Sequence, residues 1–136
     1  MPSQTTSLGL VEYAMFDTAP PLRAQLVDGD GEPLDGLDGA TVVINISPTN
    51  SGYGTSDPNR LVSLSPCVVD ADQVNNKGYV DWNPSPESLD RFGSFSYNFE
   101  VTYADSTRQT ISPKAENVLI VRFPVGGTKY GIPTTP

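Results

Sequence analysis

The stretch Asp17–Ile46, DTAPPLRAQLVDGDGEPLDGLDGATVVINI, carries the reading of the fold. Leu22, Ala24 and Leu26 alternate with Arg23, Gln25 and Val27, the period-2 pattern of a half-buried strand. Asp28-Gly29-Asp30-Gly31-Glu32-Pro33 then breaks the chain, because Gly supplies positive φ and Asp bonds its own backbone. Thr41, Val42, Val43, Ile44 and Ile46 resume as β-branched residues suited to a pleated surface. The stretch reads as two strands joined by an acidic, Gly-rich hairpin turn.

The same pattern extends in both directions. No segment keeps a 3.6-residue period, and 13 prolines and 12 glycines leave little room for a helix longer than two turns. Further strands are predicted at Leu8–Tyr13, Leu61–Leu64, Cys67–Asp70, Gly78–Trp82, Ser94–Tyr103, Gln109–Ile111 and Asn117–Phe123, beside Leu22–Val27 and Ala40–Ser47. Short strands at this spacing indicate a sandwich or barrel. Pro86–Arg91 has room for one helical turn, capped by Ser85 or Ser88. Phe95, Tyr97, Phe99, Val101 and Tyr103 form the clearest alternating face, with Ser94, Ser96, Asn98, Glu100 and Thr102 opposite. An aromatic stripe of this kind serves either as a carbohydrate platform or as core, and core is the commoner use. Asp105-Ser106-Thr107 turns the chain back as a hairpin. Trp82, at a strand end, reads as a core plug.

At 136 residues the chain is sized for one domain, enough to bury roughly two-thirds of its unfolded surface. The single cysteine, Cys67, cannot form an internal disulfide. MPSQTTS at the start has neither the basic cluster nor the apolar run of a secretory signal. No stretch approaches the ~18 apolar residues of a membrane span. The net charge is −8, with 16 acids against 8 bases, so a nucleic-acid backbone would be repelled rather than neutralised. Most of the acids fall in predicted turns, which suits turn chemistry and solubility; adaptation to high salt is the sharper reading of the same surface.

The chain has no histidine, which removes the commonest general base, the commonest zinc ligand and every His-dependent triad. Paired carboxylates remain as a chemical route to catalysis, but the acids sit in separate turns with no cleft implied by the pattern. The expectation is a protein that is not an enzyme and has no cofactor and no metal. Asp28-Gly29-Asp30-Gly31-Glu32 resembles a calcium loop, yet the sixth and twelfth places from Asp28 hold Pro33 and Gly39 instead of Gly and Glu. A turn is the better reading, with adventitious cation binding by Asp28, Asp30, Asp35 and Asp38 as the alternative.

Several motifs in order resemble one known family. A D-T-A-P-P-L lead-in at Asp17–Leu22 is followed by Leu26, Asp28, Gly31, Pro33, Asp35, Leu37 and then Gly39–Val42. Later come Gly78-Tyr79-Val80-Asp81-Trp82, Gly93, Phe95 and Glu100-Val101-Thr102-Tyr103-Ala104-Asp105-Ser106-Thr107. Their order and spacing, from about Phe16 to Phe123, resemble the N-terminal immunoglobulin-like domain of phage baseplate upper proteins, with Ser106 where Gly is usual. The resemblance implies an all-β, immunoglobulin-like antiparallel β-sandwich with extended N- and C-terminal segments. It implies a lead-in with the first strand at 1–15, the sandwich at 16–123 and an extended arm at 124–136. It further implies a structural protein of a tailed virus, located in the virion. Such a protein is expected in multiple copies in a symmetric assembly, contacting other virion structural proteins in the tail and baseplate or on the head.

Two segments fall outside the strand pattern. Ser47–Asn59 is a polar loop whose one large apolar group is Tyr53, and long loops in compact β-domains are often contact loops. Pro124–Pro136, PVGGTKYGIPTTP, cannot form a helix and carries Tyr130 and Ile132, which a bare linker would not need. Tyr53, Tyr130 and Ile132 are therefore the candidate partner-binding residues. The alternative function is a host-recognition module for surface glycans, with Tyr53, Tyr79, Trp82 and Tyr130 as stacking residues.

Overall fold

The computed structural model describes residues 4–5, 10–48, 60–111 and 118–123. Ten strands are described: β1 (Gln4–Thr5), β2 (Leu10–Ala14), β3 (Leu22–Gln25), β4 (Thr41–Pro48), β5 (Val62–Pro66), β6 (Val68–Val69), β7 (Tyr79–Trp82), β8 (Gly93–Thr102), β9 (Arg108–Ile111) and β10 (Val118–Arg122). No helix occurs among the described residues. The strands form two sheets, in the orders β1-β3-β7-β6 and β2-β10-β8-β4-β5, with β9 also pairing β8. The nine predicted strands are all present within a residue or two of their expected ends, and β1 is added.

β8 organises the larger sheet. Along one edge it pairs antiparallel with the whole of β4, Thr41 opposite Thr102 and Pro48 opposite Phe95. Its other edge is shared: β10 pairs with the Gly93–Ser96 half and β9 with the Phe99–Thr102 half. The alternation seen in the sequence becomes the core, with Phe95, Tyr97, Phe99 and Val101 all buried. Val42, Ile44 and Ile46 join them from β4, and Leu22, Ala24, Val80 and Trp82 come from the facing sheet. Burying such side chains contributes about 1.5–3 kcal/mol each. Trp82 is fully buried, and its indole N–H donates to Ser65 Oγ at 2.9 Å, tying β7 of one sheet to β5 of the other.

Three expectations need correction. First, Asp28–Asp38 is not the turn of a β3–β4 hairpin. β3 pairs with β7 and β4 with β8, so the segment crosses between sheets. A small local hairpin exists inside it: Val27 bridges Pro33, and Leu34 N–H donates to Leu26 O at 2.9 Å. The remaining residues to Ala40 then carry the chain over. Short-range pattern shows a reversal but not which sheet the next strand joins, because that depends on pairing with strands distant in the chain. Second, the sandwich is mixed rather than wholly antiparallel. β2 runs parallel to β10, and β1 parallel to β3. β2 and β10 are separated by most of the chain, so no hairpin constrains their direction. Third, Pro86–Leu89 is a turn and not a helical one. Ser88 N–H donates to Ser85 O at 3.0 Å, and the two hydroxyls hydrogen-bond each other at 2.9 Å.

The Asp105-Ser106-Thr107 hairpin is as expected. Tyr103 N–H donates to Thr107 O at 2.8 Å, and the Asp105 carboxylate accepts from both the N–H and the hydroxyl of Thr107.

Candidate interaction surface

The outer face of the β1-β3-β7-β6 sheet carries a charged cluster built by strand register. Arg23 on β3 lies opposite Asp81 on β7, and Val68 of β6 lies on the other side of Asp81. The guanidinium donates to Asp81 at 2.8 Å and to Asp70 at 2.6 Å, and lies 4.5 Å from the centre of the Tyr79 ring. The two carboxylates respond in opposite directions. Asp70 is held below the usual carboxylate range by its bond from Arg23, helped by the Asp72 N–H and the Asn76 amide. Burial pushes Asp81 up, against the pull of Arg23. Asp70 and Asp72 also organise the 70–78 turn, where Asp72 accepts from the N–H groups of Val74 and Asn75. Every group here already satisfies another group of the fold, so the cluster is architectural.

The outer face of the other sheet holds a second polar cluster, formed at a bulge. Ile44 opposes Ser65 and Ile46 opposes Val62, so Ser63 and Leu64 together face the single residue Asn45. Leu64 takes a φ of 52° and its N–H donates to Asn45 Oδ1 at 2.9 Å. Arg60 donates to the same oxygen at 2.7 Å, while the Asn45 amide donates to Glu100 at 2.7 Å. Arg108 donates to the other oxygen of Glu100, beside a shallow recess that Gln109 and Thr110 complete. Asn45, Ser47 and Ser96, which alternation assigns to a solvated face, are buried.

Neither cluster supplies a nucleophile and a base in contact. Cys67, the one thiol, is pushed up to about 12 by burial, with Asp81 adding, and so stays a protonated, inert thiol at neutral pH. Burial also raises the Tyr13 phenol, with Asp17 and Tyr97 adding, and its hydroxyl donates to Pro20 O at 2.7 Å. Among the described residues no group of three Asp, Glu, Cys or His side chains is arranged to hold a metal ion. In the acidic crossover, Asp28 Oδ1 accepts the N–H groups of Asp30 and Glu32 at 2.9 and 3.1 Å, which is turn chemistry.

Three exposed aromatic side chains gather at one end of the sandwich, while Leu64, Val68 and Val74 are exposed elsewhere on it. Phe92 and Phe123 are 61% and 44% exposed, and their rings meet edge to face at 5.7 Å. Phe16 comes to the same end, its N–H donating to Leu89 O while the neighbouring Met15 N–H donates to Arg122 O. The sequence held a signal for Phe92: it is out of phase with Phe95, Tyr97 and Phe99, so it points away from the core. At the opposite end Asp35, Asp38 and Asp105 line an open recess around Tyr103.

Of the candidate binding and stacking residues, Tyr79 and Trp82 alone are described. Tyr53, Tyr130 and Ile132 lie outside the described residues. Trp82 is wholly buried and cannot stack on a glycan, and one face of the half-buried Tyr79 is taken by Arg23. Two of the four proposed glycan-stacking residues are thus committed to the fold. No helix of the described residues is long and apolar enough to cross a membrane. No protein-family model matches the chain, and no curated protein matches it significantly.

Proposed function

We propose that this chain is a non-enzymatic structural protein of a tailed virus particle. In this reading it is an immunoglobulin-like sandwich that assembles through protein–protein contacts, in the tail and baseplate or on the head. The observation that carries the reading is the agreement between motif order and strand order. The stations of the sequence resemblance fall at structural junctions: Asp17–Leu22 leads into β3, Gly39–Val42 opens β4, Gly78–Trp82 forms β7, and Glu100–Thr107 ends β8 and turns into β9. In this reading the sheet orders β1-β3-β7-β6 and β10-β8-β4-β5 take the places of strands A, B, E, D and G, F, C, C′ of an immunoglobulin variable-type sandwich, with β2 beyond β10, which supports the proposal. Fold alone does not define function, so the virion assignment rests on the sequence resemblance. In this reading, residues 124–136 form an arm that seats Tyr130 and Ile132 on a neighbouring virion protein.

Mass spectrometry and cryo-EM of particles from the virus encoding this chain test the proposal. The expected result is a sandwich-sized density in several symmetric copies; absence of the chain from purified particles overturns it. A chain ending at Phe123 separates the arm from the domain. Its melting temperature is expected to stay nearly unchanged while its incorporation falls, and full occupancy of the truncated chain would remove the arm from the proposal.

A further inference from the structure

Four Asp-Gly steps lie in the crossover from β3 to β4: Asp28-Gly29, Asp30-Gly31, Asp35-Gly36 and Asp38-Gly39. Such a step carries latent chemistry, because the glycine nitrogen can attack the aspartate Cγ and no Cβ on the glycine shields the approach. The fold restrains three of the four. Asp28 Oδ1 accepts from the N–H groups of Asp30 and Glu32 at 2.9 and 3.1 Å, which fixes that carboxylate. Gly31 N–H donates to Asp28 O at 3.0 Å, so the nitrogen that would attack Asp30 is engaged, and turning its peptide breaks the bond that closes the turn. Asp35 pairs with Lys77 in a surface ion pair, the weakest of these restraints.

Asp38-Gly39 is the exception. Both residues are exposed, and among the described residues neither the Asp38 carboxylate nor the Gly39 N–H has a hydrogen-bond or ion-pair partner. Ala40 N–H donates to Leu37 O at 3.0 Å and Gly39 takes a φ of 82°, the arrangement of a type II turn over Leu37–Ala40. The Asp38–Gly39 peptide is the central one of that turn, so it rotates while the closing hydrogen bond stays in place. We propose that Asp38-Gly39 is a self-modification site that converts to isoaspartate without an enzyme. The Gly39 nitrogen bonds to Asp38 Cγ and gives up its proton, and a carboxyl oxygen leaves as water, closing a five-membered succinimide. Water then opens the ring. Attack at Cγ restores aspartate; attack at the α-carbonyl leaves the chain running through Cγ, with a free α-carboxylate. No oxidant or reductant is consumed, and the net composition is unchanged. The product lengthens the main chain by one carbon between buried Leu37 and Thr41, where β4 begins, at the edge of the Tyr103 recess. The inference needs no partner and is independent of the virion reading.

Ageing the full chain at neutral pH and physiological temperature tests it, with isoaspartate located residue by residue by electron-transfer fragmentation. This readout distinguishes a chain running through Cγ from the isobaric aspartate. In the folded protein, isoaspartate is expected to build up at position 38 at least about threefold faster than at 28, 30 or 35, the factor that one broken hydrogen bond imposes. In denaturant the restraints are gone, so the four rates are expected to converge. Asp38→Glu, which would need a disfavoured six-membered ring, is expected to abolish the product at that position and leave the melting temperature unchanged. Equal rates at the four steps of the folded chain overturn the proposal, as does faster reaction at 28, 30 or 35. A selectivity that persists in denaturant also overturns it, because local sequence rather than the fold would then set the rates.

Discussion

At the scale of single residues, backbone conformation is a source of both strain and constraint. Ser106 takes a φ of 73° in the β8–β9 hairpin, a region where an L side chain costs about 1–2 kcal/mol and Gly costs nothing sterically. Ser106→Gly is expected to stabilise the protein by about 0.5–1 kcal/mol after the entropy of the unfolded glycine is deducted, measured as the shift in urea midpoint. An unchanged or lower midpoint would show that the Ser106 hydroxyl offsets the strain. Gly78 is the opposite case. Its φ is 85°, and a Cβ there would lie 2.7 Å from Leu26 O and 3.2 Å from Leu34 N, both backbone atoms that cannot step aside. Gly78→Ala is expected to cost about 2–4 kcal/mol by the same measurement. Both positions lie in motifs legible in the sequence, but the sequence does not show that Gly78 abuts the chain fifty residues earlier.

At the scale of elements, β8 is the strand on which the larger sheet depends, and Phe99 is its fully buried centre, edge to face with Tyr97 at 6.0 Å. Phe99→Ala is expected to cost about 3–5 kcal/mol through lost burial and a residual cavity, read from equilibrium denaturation. A loss under about 1 kcal/mol would mean that the site collapses around the deletion. The β3–β7–β6 face gives a pH prediction. Asp70 is held below its ordinary value, so its contribution to stability is complete above the unfolded carboxylate pKa of about 3.9 and is lost as pH falls through the folded value. Asp81 is shifted up and acts in the reverse sense, its contribution present at low pH and lost as pH rises through its folded value. Asp70→Asn is therefore expected to lower the melting temperature at pH 7 but to flatten its decline between about pH 4 and pH 2. A variant with the same acid limb as the parent would show that Asp70 is not responsible for that sensitivity.

At the scale of the whole molecule, the acidic crossover is a structural link between sheets with its first carboxylate already bonded to the backbone. Calcium is expected to raise the melting temperature no further than a salt of matched ionic strength does. A saturable, calcium-specific rise, which is what binding to the folded state alone would produce, would assign the crossover a ligand. The Phe92–Phe123 pair at one end and the recess of Asp35, Asp38 and Asp105 around Tyr103 at the other are likewise properties of the assembled sandwich. The contributing residues are scattered from Asp35 to Phe123 and are gathered only by the strand directions.

The strands themselves were written in the sequence, because β-branched and aromatic residues at period 2 make one face apolar whatever the fold around them. For the same reason Phe95, Tyr97, Phe99 and Val101 were recognisable as core, and Asp105-Ser106-Thr107 as a turn between neighbouring strands. Pairing between distant strands was not legible: β2 with β10, Arg23 with Asp81, and the indole of Trp82 with Ser65 all depend on contacts across the chain. Nor was the path of Asp28–Asp38, since a Gly- and Asp-rich turn reverses the chain equally well into the same sheet or the opposite one. The tertiary structure decided that question by long-range pairing: β3 hydrogen-bonds to β7 and β4 to β8, which places the two strands in different sheets.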